Sequence, residues 1–254
     1  MGGRIELQER GGSCARVLAR RSLCGQVVHE LGQQILSGKL PPLSLLPSEA
    51  ECASSMAVSR TAFREAIKIL TAKGLIESRT RVGTRVRARE FWNFLDPDVL
   101  AWLMAAEPRG RYVASLFELR RLVEPQAAAL AATRATAADI RRLEAAYAKL
   151  ELADDDGERW VAPDLDFHQT ILRMTGNELI GTLGTLMQTA FAVTFHLSTD
   201  DPEGQRHALP LHGAVLAAIR GRDPDAACDA MTRLIDKSER DVKRAMAARK
   251  GRAR

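Results

Sequence analysis

The stretch from Leu46 to Leu70 constrains the fold more than any other part of this chain, because it holds two helix starts separated by a tight turn. Ser48 followed by Glu51 has the form of a capping box, in which a hydroxyl and a carboxylate satisfy the free amides at a helix N-terminus, so a short helix is predicted to begin near Ser48. Ser59 is a natural N-cap for a second helix, where Phe63, Ala66, Ile67 and Leu70 recur at helical spacing and form one apolar face. The opposite face is polar. Its first turn carries Ser59, Arg60, Thr61 and Arg64, the short hydroxyls and guanidiniums that a recognition helix presents to base edges and phosphates. Arginines on the outer face of an amphipathic helix are ordinarily just solvated, so the flanking sequence decides. Leu75–Arg79 and Gly83–Arg87 read as the two strands of a hairpin, a wing beside the helix pair.

The charge distribution agrees with a DNA-facing head. The net charge is +5, yet residues 1–90 hold 15 Lys and Arg against 8 acidic residues, while residues 91–254 hold 22 against 24. The basic excess sits on the half that carries the helix pair, where it would attract phosphate in a salt-dependent way. Cys14, Cys24, Cys52 and Cys228 show no CxxC spacing and outline neither a disulfide framework nor a cysteine-built zinc site. With no apolar run of membrane-spanning length and no signal-peptide core, the expected location is the cytoplasm.

Taken in order, residues 1–22 read as a mobile basic arm rich in Gly and Arg. Val27, Val28, Leu31, Ile35 and Leu36 share one helical face that ends at Ser37-Gly38, and Pro41-Pro42 then turns the chain. After the wing, Phe91 to Trp102 changes character from basic and β-branched to aromatic and acidic, which places a domain boundary near residue 90. Asp96 caps a helix with Pro97 in its first position, and Trp92 and Trp102 read as packing residues. From residue 111 onward the periodicity is helical: Tyr112–Thr133, Ala137–Leu152, Glu158–Met174, Asn177–His196, Arg206–Arg220 and Pro224–Ala248. The predicted fold is therefore mainly α: a winged helix-turn-helix of three helices and a small β wing over residues 23–90, then an all-α antiparallel bundle over residues 91–254.

The head resembles the GntR family of bacterial regulators through Ile35-Leu-Ser-Gly38, Leu46-Pro-Ser-Glu49, Val58-Ser-Arg-Thr61, Arg64-Glu-Ala66, Lys73-Gly-Leu-Ile76 and Gly83-Thr84. The resemblance implies that Ser59, Arg60, Thr61 and Arg64 on the helix, with Gly83 and Thr84 in the wing, face double-stranded operator DNA. Two departures stand out: Pro42-Leu43 where the family usually has Pro-Gly, and Ala50 where it often has Arg. The second half resembles the FCD effector-binding domain of the family's FadR group through Glu118-Leu-Arg120, Val123-Glu-Pro125, Asp164-Leu-Asp-Phe-His168, Gly176-Asn177, His212, Ala218-Ile219 and Asp223. Within that group the linker Trp92–Leu100 is similar to the galactonate-operon repressor branch.

Asp164 and His168 stand four residues apart on one predicted helix, close enough to share a cation or merely a proton. His212 begins another apolar helical face, and a bundle builds metal sites from side chains on facing helices. The FCD resemblance implies that Asp164, His168 and His212 are metal ligands, while the family's last His is replaced by Leu234. Such a donor set suits zinc, with manganese or nickel as alternatives, or the site has lost enough affinity to stand empty. Arg120 resembles the cavity arginine of the FCD domain, which would clamp a carboxylate effector; the competing reading is an ion pair with Glu124, four residues on. Asn177 is a second candidate for the pocket, or an N-cap. The expected function is a homodimeric repressor of a sugar-acid operon released by a small carboxylate, with an FCD regulator of another organic acid as the alternative. A metal-dependent enzyme using Asp164, His168 and His212 is the rival from another class, and no general base or nucleophile is placed to support it.

Overall fold

The computed structural model describes residues 22–79, 83–106, 111–153, 157–184 and 202–252. The predicted basic arm lies outside these residues except for Ser22, as do Cys14 and His196. The chain divides into two compact units, Met1–Ala106 and Glu107–Arg254.

In the first unit, α1 (Leu23–Leu36) starts on Ser22, whose hydroxyl accepts from the Gly25 amide at 3.0 Å. Its buried Val27, Leu31 and Ile35 serve a core shared with Phe63, Ala66 and Leu70 of α3 (Arg60–Ala72). Between them α2 (Glu49–Ser55) opens on the capping box: the Ser48 amide donates to Glu51 Oε2 at 2.9 Å and the Glu51 amide to Ser48 Oγ at 3.3 Å. Ala57 turns the chain with φ +53°, and Ser59 then caps α3 by accepting from the Ala62 amide at 3.1 Å. Strands β1 (Ile76–Arg79) and β2 (Gly83–Val86) pair antiparallel with Glu77 opposite Arg85 and Ser78 opposite Thr84. Residues 43–46 run along the other edge of β2: Val86 donates to Ser44 O at 2.9 Å and Leu46 to Thr84 O at 2.8 Å. That edge is thereby protected from foreign pairing.

The boundary near residue 90 suggested by composition falls too early, because the aromatic stretch belongs to the core of the head. Trp92 is buried and its indole N–H donates to the Arg87 carbonyl at 3.0 Å. Helix α4 (Pro97–Ala106) is capped by Asp96 Oδ1, which accepts from the amides of Asp98 and Val99 at 3.0 and 3.2 Å. It lies on α1, where Gly32 leaves room for the Trp102 ring and the Trp102 N–H donates to His29 Nδ1 at 2.8 Å. Lys73, at the end of α3, reaches Asp96 and Asp98, both at 2.8 Å. Burial works against the Lys73 charge, but the two carboxylates outweigh it and raise its pKa.

The regular structure described in the second unit is all helical: α5 (Arg111–Arg134), α6 (Ala137–Ala153), α7 (Gly157–Met174), α8 (Pro202–Arg220) and α9 (Pro224–Arg252). Residues 178–184 are also helical, and the rest of the helix predicted to reach His196 falls outside the described residues. α5 packs on α9 and α7, α6 on α7 and α8, and α8 on α9, around Phe117, Leu143, Leu150, Phe167, Ile171, Ile219 and Ile235. α9 runs further than its predicted end at Ala248. Its basic residues find acidic partners one turn away, Lys243 on Glu239 at 3.0 Å and Lys237 and Arg244 on Asp241, which supports the helix. No helix among the described residues is long and apolar enough to cross a membrane.

Candidate DNA-reading surface and metal centre

The first turn of α3 presents Arg60, Thr61 and Arg64 to solvent. Ser59 is also exposed, and its hydroxyl accepts from the Ala62 amide in the cap, which fixes where the helix begins and leaves its O–H able to donate. Arg64 Nε donates to Glu49 Oε2 at 2.9 Å, joining the start of α2 to α3. At the wing, Gly83 has φ +100° with open space where a Cβ would stand, and the Thr84 hydroxyl lies 2.9 Å from that of Ser78. The arrangement is a polar helix end beside a two-stranded β wing, with the buried Phe63 and Leu70 of the helix and Ile76 and Val86 of the wing turned into the head.

In the helical unit, Asp164, His168 and His212 are all buried and offer ligand atoms within 4.8 Å of one another. The four-residue spacing puts Asp164 and His168 on one face of α7, and α8 delivers His212 from the facing side. His212 Nδ1 lies 2.9 Å from the Ala208 carbonyl, an acceptor, so the proton resides on Nδ1 and Nε2 is left facing Asp164 Oδ1 at 2.8 Å. His168 Nε2 lies 3.8 Å from Asp164 Oδ2. Neither Asp164 Oδ2 nor His212 Nε2 forms a hydrogen bond among the described residues, despite burial and proximity. A bare nitrogen lone pair and a carboxylate oxygen this close repel unless a proton or a cation joins them. Two imidazole nitrogens and one carboxylate converging in a buried site fit the donor chemistry of zinc or a similar divalent ion. Phe167 and Trp160 stand edge-on to His212, with ring centroids 5.0 and 5.9 Å away, and keep the surroundings apolar. Leu234 on α9 is buried and brings no fourth donor.

A second layer stands behind this group. Glu124 and Arg120 of α5 are each only 1% exposed, and Arg120 Nε donates to Glu124 Oε1 at 2.7 Å while Nη2 reaches Oε2 at 3.3 Å. Of the two sequence readings of Arg120, the ion pair with Glu124 is present, and it takes up the Nε and Nη2 edge of the guanidinium. Glu124 Oε2 also lies 2.7 Å from His168 Nδ1, a contact that sequence reading missed. Burial pushes the Glu124 carboxyl up, but Arg120 and His168 outweigh it and hold its pKa down at about 2. Burial likewise opposes ionisation of Asp164, and the two histidines and Arg120 overcome it to lower its pKa. Asn177 is apart from this cluster: it is exposed, and its side-chain oxygen accepts from the amides of Leu179 and Ile180 at 3.0 and 3.5 Å, which is an N-cap. His207 is exposed on α8.

Comparison with known proteins gives both units a family. Residues 23–86 match the gntR family of bacterial regulatory proteins, and residues 115–237 match the FCD domain. The chain is 36% identical over 230 residues to the Escherichia coli HTH-type transcriptional regulator YieP, covering 89% of this chain and 99% of that protein. It is 35% identical over 219 residues to the galactonate operon transcriptional repressor of Escherichia coli, covering 86% and 96%. Among solved structures, Streptococcus agalactiae GntR superposes with a TM-score of 0.50 at 27% identity, covering 85% of this chain and 99% of that one. The Listeria monocytogenes regulator Lar, at 18% identity, shares the fold with a TM-score of 0.61, covering 88% and 98%. The chain belongs to the GntR family, as a DNA-binding transcriptional regulator with an FCD domain and not as an enzyme.

Proposed function

We propose that the protein is a homodimeric repressor of a sugar-acid catabolic operon, released from DNA when a small hydroxy acid binds in its helical unit. The observation that carries this reading is the buried trio Asp164, His168 and His212, with the apolar Leu234 in place of the last histidine expected in an FCD domain. A divalent cation held by the trio, most simply zinc, supplies Lewis-acidic positions that protein atoms do not fill. A carboxylate with a neighbouring hydroxyl is the ligand chemistry those positions select. The 35% identity to the galactonate operon repressor supports an aldonate as the acid. In the head, Arg60, Thr61 and Arg64 read base edges and phosphates, Gly83 and Thr84 bring the wing to the duplex, and two heads take successive half-sites. Release follows only if the effector binds the released state more tightly than the DNA-bound one.

The test is a thermal-shift screen of zinc-loaded protein against aldonates, uronates and short hydroxy acids, paired with gel-shift titration on the protein's own promoter region. An aldonate is expected to raise the melting temperature and to free the DNA. His212→Ala is expected to abolish both effects while leaving DNA binding intact. An unaltered aldonate response in that variant would place the pocket elsewhere.

A further inference from the structure

We infer that Glu124 is a positioning residue for the metal centre, fixing His168 in the one tautomer that presents Nε2 to the ion, and that Arg120 is its buried counter-ion. The inference rests on the metal reading above. Glu124 lies on α5, whereas the three candidate ligands lie on α7 and α8, so its link to them is through space, by way of His168. An ionised carboxylate only accepts hydrogen bonds. Held 2.7 Å from Nδ1, it makes an attractive contact only with a ring that carries its proton there, and the Nε2 lone pair is then directed toward Asp164. The approach is bent, without the alignment of a full hydrogen bond, so the effect is mainly that of a fixed negative charge against the ring. A carboxylate behind a ligating imidazole also raises the basicity of the ligating nitrogen.

The ion pair with Arg120 has its own place in this scheme. A guanidinium buried near a divalent cation would repel it, and Glu124 cancels that charge at 2.7 Å. Conversely, without Arg120 the Glu124 carboxylate would face the apolar interior with only His168 beside it. Among the buried charged groups described, Arg120 and Glu124 cancel and Asp164 carries one negative charge, so loading a divalent ion leaves the site with one net positive charge for an anionic effector. His212 needs no such partner. Its Nδ1 is already fixed by the Ala208 carbonyl of its own helix.

The experiment measures zinc affinity of the full-length protein by competition with a chromophoric chelator, alongside the metal-free melting temperature and the imidazole 15N shifts of His168. Glu124→Gln is expected to weaken zinc binding about 10- to 100-fold, because the amide can turn its NH2 toward Nδ1 and shift the ring to the other tautomer. That variant strands a buried guanidinium, so the paired variant Arg120→Met with Glu124→Gln removes the charge as well. It is expected to melt close to the parent without metal, yet to retain weakened zinc affinity and altered 15N shifts. Parent-like zinc affinity in the folded double variant would overturn the positioning role while leaving the metal reading intact. A parent protein that binds neither zinc, nickel nor manganese would overturn both.

Discussion

Single side chains show where this chain departs from its relatives and what that costs. Leu43 has φ +69° and is 60% exposed, so its backbone takes the left-handed conformation with little burial to compensate. This is the physical reason for the glycine usual at that place in the family: without a Cβ the turn carries no steric cost. Leu43→Gly is therefore expected to stabilise the head by about 1 kcal/mol, read as a higher denaturant midpoint at unchanged slope. A lower midpoint would mean that Leu43 makes contacts of more value than its strain. At this scale the four-residue spacing placed Asp164 and His168 on one helix face, family resemblance added His212, and the structure brings the three together. The sequence was blind to the pairing of Glu124 with His168, because that contact joins helices far apart in the chain and no local spacing encodes it.

Helix termini account for most of what was legible at the level of elements. Ser48, Ser59 and Asp96 each cap the helix that their sequence context indicates, and the described helices end close to where periodicity fails. α6 adds a further instance: Thr136 Oγ1 accepts from the Asp139 amide at 3.2 Å, and Asp139 Oδ2 accepts from the Thr136 amide at 2.9 Å. Thr136→Ala should cost about 1 kcal/mol of stability, measured by chemical denaturation, with no change in metal affinity because α6 contributes none of the three donors. A loss of zinc binding in that variant would show that α6 supports the site directly. The boundary of the head was less legible. Aromatic and acidic composition normally marks a new domain, but here Trp92 and Trp102 are buried in the head's own core, Trp102 over Gly32 of α1, a contact that no local spacing encodes.

For the molecule as a whole, the charge asymmetry read from sequence becomes an expectation about DNA. The basic excess of residues 1–90 belongs to the same unit as the exposed Arg60 and Arg64, while the helical unit's charges balance. A DNA-binding surface that neutralises about six phosphates should lose roughly a thousandfold in affinity between about 50 and 200 mM salt. Fluorescence anisotropy on labelled promoter duplex would give the slope, and a flat profile would mean that this surface does not face the phosphates. Arg64→Ala should reduce the slope, though its pairing with Glu49 at 2.9 Å already takes up part of its charge.

The close approach of Trp102 to α1 has a consequence for how this head can diverge. A β-carbon at position 32 would sit 2.3 Å from the Trp102 ring, so the seat of the indole exists only because one carbon is missing from the helix beneath it. Drift at that position is closed to every other amino acid unless the tryptophan shrinks at the same time, and the two sites should change together or not at all.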